Sequence, residues 1–112
     1  MIVKLLRGEP TVAHLVASAD FVPGQVTNVG LTPVIAVNRV KSGEVGAFAV
    51  SGGIYEMIAQ TSTGAPVAGS ACTFAATNVK ISTSTGNILG VCLKVASAVC
   101  EVLHQPTGVT VA

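Results

Sequence analysis

Nearly a third of this chain is β-branched, with 19 Val, 6 Ile and 11 Thr among 112 residues. Such side chains are stiff at χ1 and pack well on a pleated surface. The 12 Gly and 5 Pro fall between short apolar runs, the layout of strands separated by turns. The expected fold is therefore all-β, a small β-barrel or β-sandwich, and the length suits one domain rather than two.

Three breaks share one pattern. Val22-Pro23-Gly24-Gln25-Val26, Lys41-Ser42-Gly43-Glu44-Val45 and Val67-Ala68-Gly69-Ser70-Ala71 each place Gly before a polar residue and then an apolar one. Glycine takes positive φ at little cost, so each reads as a tight turn that delivers a new strand. Between the breaks lie candidate strands at Pro33–Val40, Val45–Val50 and Gly53–Ala59. Val79 and Ile81 alternate with Asn78, Lys80 and Ser82, as a strand with one wet face does. Thr85-Gly86-Asn87 then turns the chain into Ile88–Val95. From Val91 to His104 the polar residues Lys94, Ser97, Glu101 and His104 fall at helical spacing, yet Leu89, Val91, Leu93 and Val95 also line a strand face. The valine content favours two strands joined near Ala96-Ser97 over a helix.

Charged residues are only 10% of the chain, against about 25% in an ordinary soluble domain. Hydrophobic residues make up 50%, and the mean hydropathy is +0.70. So few charges cover a lone monomer poorly, and fit a chain whose surface is covered in an assembly. A net charge of +1 without a Lys/Arg cluster argues against a nucleic-acid partner. No membrane partner is expected either. Phe21–Asn38 and Met57–Val79 lack charges but are interrupted by Pro23, Gly24, Pro33, Gly64, Pro66 and Gly69, which a spanning helix of about 20 apolar residues does not accommodate. Lys4, Arg7 and the small residues Ala17-Ser18-Ala19 resemble parts of a secretory signal, but Glu9, Pro10 and His14 break its apolar core, so no signal peptide is expected.

Chemistry-bearing constellations are absent. Cys72, Cys92 and Cys100 form no C-x-x-C pair and are expected to be buried packing residues. Cys100 and His104 with His14 lack the paired spacing of a zinc site, so no metal or cofactor is expected. The five acids are scattered singly, and no nucleophile elbow, H-E-x-x-H or phosphate loop occurs. His14, beside Leu15 and Val16, reads as a strand residue rather than a general base. Phe21, Phe48, Tyr55 and Phe74 read as core. The expectation is a protein that is not an enzyme.

Four segments carry a family resemblance. They are Arg7–Val12 (RGEPTV), Lys41–Gly52 (KSGEVGAFAVSG), Val67–Phe74 (VAGSACTF) and Gly86–Val91 (GNILGV). In this order they resemble small bacteriophage capsid cement, or head decoration, proteins. Ser70 stands where that family tends to have Asp, Phe74 where a larger aromatic is common, and Cys92 and Lys94 fall in a usually alanine-rich stretch. The resemblance implies a structural role on the virion: binding the exterior of an icosahedral head, bridging major capsid subunits, self-associating as a homotrimer, after synthesis in the bacterial host cytoplasm. The alternative is a receptor- or carbohydrate-binding β module of a phage tail or fibre.

The expected organisation is an N-terminal arm at 1–11, a β domain at 12–105 and a C-terminal tail at 106–112. Ile2, Val3, Leu5 and Leu6 are apolar, interleaved with Lys4 and Arg7, and then stopped by Gly8-Glu9-Pro10. Pro10 cannot donate to a sheet ladder and restricts the residue before it. Ile2, Val3, Lys4, Leu5, Leu6 and Arg7 are therefore expected to leave the domain as an extended arm and dock on a neighbour as an added strand. The alternative is that Ile2–Leu6 is the first strand of its own core.

Overall fold

The three Gly-centred breaks are tight turns. In each, the fourth residue's N–H donates to the first residue's carbonyl: Gln25 to Val22 at 3.1 Å, Glu44 to Lys41 at 3.0 Å and Ser70 to Val67 at 3.0 Å. Gly24, Gly43 and Gly69 occupy the third position with φ of 85°, 85° and 89°. A type II turn demands this geometry, and Pro23 supplies the preferred second residue of the first one.

The computed structural model describes residues 2–60, 64–75, 80–83, 86–108 and the backbone of 110–111. These residues form an all-β structure with strands β1 (Lys4–Arg7), β2 (Thr11–Val16), β3 (Val26–Val29), β4 (Thr32–Ala36), β5 (Val45–Ser51), β6 (Ile54–Ile58), β7 (Ala71–Phe74), β8 (Gly86–Ala96), β9 (Val99–His104) and β10 (Thr110–Val111). The larger sheet runs β1-β6-β9-β8-β10, with β7 also paired to β8; the smaller runs β2-β5-β4-β3. Every strand pair is antiparallel. No helix among the described residues is long and apolar enough to cross a membrane.

The sheets pack over one core, to which the smaller sheet contributes Val26, Ile35 and Ala49 and the larger Tyr55, Met57, Phe74, Leu89 and Val102. A second cluster lies on the far face of the smaller sheet, where Phe48, Val34 and Ala36 are covered by Ala17, Phe21 and Val40 from the flanking loops. Phe21 meets Phe48 edge-on at 5.8 Å, a favourable aromatic geometry. β4 is thus buried on both faces, which is why Pro33-Val34-Ile35-Ala36 is a continuous apolar run rather than an alternating one. All four aromatic side chains are core. Cys72, Cys92 and Cys100 are free thiols in the core, as expected.

The segment Val91–His104 is a hairpin of β8 and β9, with Ala96 paired to Val99 across Ser97-Ala98. Its helical spacing of polar residues has a local cause. A bulge between Cys92 and Lys94 shifts the phase of β8 by one residue, so Lys94 joins the solvent face opposite Glu101. Of the strand expected around Val79 and Ile81, Asn78 and Val79 lie outside the described residues, as does Thr85 of the following turn. Ile81 is buried and bridges Ala59.

The N-terminal arm requires correction. β1 pairs with β6 of its own sheet, Lys4 opposite Glu56 and Leu5 opposite Tyr55. Val3 is buried, and its N–H donates to Gly24 O at 2.8 Å. Pro10 does not release this stretch from the domain; it lies between β1 and β2, where the chain crosses to the other sheet. Residues 4–7 therefore belong to the β domain as an edge strand. At the other end, Thr110 and Val111 pair with Asn87 and Gly86.

Candidate interaction surface

The predicted interface residues divide between core and surface. Val3 is buried and Leu6 half-buried, whereas Ile2 and Leu5 are 57% and 43% exposed. Lys4 and Arg7 are exposed on the outer face of the larger sheet. Leu5 and Val3 line an apolar cleft of about 260 Å³ with Pro10, Pro23, Ile35, Val37 and Tyr55. The cleft opens because the face carrying Ile35 and Ala49 continues beyond the larger sheet. Val37 and Ala47, joined by a 3.0 Å backbone hydrogen bond, lie on that continuation, and Val37 is 47% exposed. Ile2 flanks the Gly24 side of the cleft, 3.1 Å from where a Gly24 Cβ would stand. Gly24 is therefore bound twice, by positive φ and by close packing.

The cleft is smaller than the roughly 300 Å³ at which ligand pockets begin. Its one ionisable group is the Tyr55 hydroxyl, held above its ordinary pKa by burial. Among the lining residues nothing activates a nucleophile, and the Tyr55 hydroxyl stays protonated at neutral pH. What it can do is receive apolar side chains.

A charged row crosses the outer face of the larger sheet. Lys4 stands opposite Glu56, Glu56 opposite Glu101, and Glu101 opposite Lys94. Arg7 Nη2 also donates to Glu101 Oε1 at 2.8 Å. Two carboxylates directly opposed on neighbouring strands repel, and the cations at both ends of the row offset that repulsion. Sequence reading treats the five acids as scattered singly; the opposition of Glu56 and Glu101 arises only from the pairing of β6 with β9. Both acids lie on an open sheet face beside a shallow depression of about 130 Å³.

His104 lies at the seam of the two sheets. Its Nε2–H donates to Pro33 O at 2.8 Å, and its backbone N–H donates to Gly53 O at 3.1 Å. β4 pairs with β5 only at Ile35 and Ala36, which leaves the Pro33 carbonyl available to the ring. Nδ1 is buried without a hydrogen-bond partner. Burial lowers the His104 pKa from its ordinary value, opposed by the Pro33 bond. Cys100 and His104 both point inward from β9, but four residues of strand separate them by about 13 Å. His14 is exposed on β2 of the other sheet. These three cannot share a metal ion, and no group of three or more His, Cys, Asp or Glu able to hold one occurs among the described residues. Burial, reinforced by the neighbouring Cys92, pushes the Cys100 thiol up to about 12. Burial likewise raises Cys72, with contributions from Cys100 and Cys92. Thiolates are the reactive form, so both are inert as nucleophiles.

Compared with protein-family models, curated proteins and solved structures, the chain matches none.

Proposed function

We propose that this protein is a non-enzymatic capsid cement protein that binds the exterior of a phage head and stabilises joints between major capsid subunits. The observation that carries this reading is the apolar cleft with Leu5 and Val37 exposed at its rim and Ile2 beside it. Exposed apolar patches mark interaction surfaces, and a cleft below the usual volume of ligand pockets suits a protein side chain better than a small molecule. The order of the four sequence motifs supplies the identity of the partner, and the charge poverty of the chain supports a life inside an assembly. Of the interface residues expected from sequence, Ile2 and Leu5 carry the contact, while Val3 and Leu6 hold β1 in place. Lys4 and Arg7 serve the charged row. Homotrimers on the head, implied by the resemblance, are part of this reading. Docking stabilises the shell by mass action, since the protein binds the assembled joint and not its separated halves.

A carbohydrate- or receptor-binding module is less well supported. Sugar-binding sites commonly present aromatic faces, and all four aromatic side chains here are buried. Image reconstruction of heads from the phage whose genome carries this gene, with and without the gene, tests the proposal. Ordered density on the outer surface that disappears with the gene supports it. Identical reconstructions contradict it.

A further inference from the structure

The sheet edges differ in how they are protected against pairing. β1 carries Lys4, Arg7 and a bulge between Leu5 and Arg7, the devices that ordinarily blunt an edge. β2, one edge of the smaller sheet and longer than β3 at the other, has none of them along its regular part. Thr11–Val16 reads TVAHLV, without Lys, Arg, Asp, Glu or Pro. Its register with β5 is regular from Val12 to Val16. Among the described residues no strand pairs with its outer side.

The hydrogen-bond phase of this edge is fixed by its neighbours. Ala17 N–H donates to Glu44 O at 2.8 Å, continuing the β2–β5 ladder. Alternation along an antiparallel pair then turns the N–H and C=O groups of Ala13 and Leu15 toward β5, and those of Val12, His14 and Val16 outward. Val37 N–H donating to Ala47 O confirms the phase. Ala47, opposite His14, spends its carbonyl on the far side of β5. The regular edge is bounded by the bulge between Thr11 and Val12 and by the departure of Ala17 toward Glu44 and Gly43. It is centred on His14.

We infer that β2 is a two-fold interface, pairing antiparallel with β2 of a second copy about an axis through His14. Val12 then faces Val16 of the second copy, His14 faces its counterpart, and each pair exchanges both backbone hydrogen bonds. Every outward donor and acceptor of the regular edge is satisfied with none left over. The three outward residues share one sheet face, so Val12 covers Val16, which at 68% is the most exposed large hydrophobic among the described residues. The strand carries no formal charge, so the isologous contact sets no like charges opposite one another. A five-residue ladder covers less than the roughly 800 Å² per partner of a standard interface, so a weak, concentration-dependent dimer is expected. The contact joins two smaller sheets into one continuous sheet.

Sedimentation equilibrium of the free full-length protein across the micromolar range tests this, independently of any head-binding assay. The expected mass rises to twice 11.2 kDa. His14→Pro removes an outward donor without touching the β2–β5 ladder, and edge strands tolerate Pro. It should keep the wild-type circular dichroism and raise the dimer dissociation constant at least about tenfold. Val16→Lys, on an exposed side chain, should do the same should His14→Pro fail to fold. Hydrogen exchange gives a second readout: amides of Val12, His14 and Val16 gain protection with concentration, while Ala13 and Leu15 are protected throughout. A monomer at all concentrations, a trimer indifferent to these substitutions, or a dimer without concentration-dependent protection in β2 overturns the inference.

Discussion

Burial of His104 at the seam between the sheets ties stability to pH. The folded state holds this ring neutral, with a pKa below the ordinary value near 6.5, whereas the unfolded chain takes up the proton at that value. The unfolded state therefore binds more protons as pH falls below about 6.5. Stability should decline there by up to about 1.4 kcal/mol per pH unit and level off once the folded-state pKa is passed. Chemical denaturation between pH 7.5 and 5 measures the slope, and His104→Gln should flatten it. An unchanged slope in the variant would assign the proton to another group. Gly90 is a second position where one side chain decides the outcome. It pairs with His104 across β8 and β9, and a Cβ there would overlap the Leu103 carbonyl. Because the obstacle is backbone, Gly90→Ala should cost about 3 kcal/mol or more, read as a shifted denaturation midpoint. A cost below about 1 kcal/mol would show that the β8–β9 pair has room to move.

At the level of elements, the β8–β9 hairpin turns on Ser97 at φ 57°, the only positive-φ residue other than glycine among those described. Positive φ at the first of two loop residues alone is the pattern of a type II′ turn, whose preferred residue there is Gly. Ser97→Gly relieves about 1–3 kcal/mol of positive-φ strain and returns part of it as unfolded-state entropy. Tm should rise by about 2–4 °C; a fall would contradict the turn assignment. β1 makes the opposite kind of prediction. Removing residues 1–7 strips Val3 from the core and a strand from the sheet, so the truncated chain should lose at least about 3 kcal/mol of stability rather than remain a native domain. Thermal unfolding of the truncated protein decides between strand and arm. These two elements also mark the limit of what the sequence makes legible. Turns at Gly24, Gly43 and Gly69 are local, so a few residues specify them. The β8–β9 hairpin was readable from its valines. Whether Ile2–Leu6 pairs at home or abroad depends on β6, far along the chain, and the bulge after Leu5 breaks the alternation that marks a paired strand. The charged row is likewise invisible until β6 pairs with β9.

For the whole molecule, the division of surfaces matters most. One sheet presents a charged row, the other an unprotected edge, and between them lies a cleft that no segment of the described chain fills. Of the apolar residues in the predicted interface, Ile2 and Leu5 are exposed, Val3 is buried and Leu6 half-buried. The sequence pointed to that segment through its apolar residues but could not reveal Val37, which reaches the same cleft from the other sheet. The most direct test of the cement reading is retention on washed heads. On the cement reading, heads of a phage that encodes this protein, prepared without it, are incubated with purified wild type or with Leu5→Glu/Val37→Glu, pelleted and washed. Both substitutions fall on exposed side chains, so circular dichroism should match wild type. Wild-type protein should pellet with the heads in a saturable amount, and the variant should stay in the supernatant with at least about a tenfold loss of affinity. Wild type that washes off, or a folded variant retained as well as wild type, would contradict docking through this cleft.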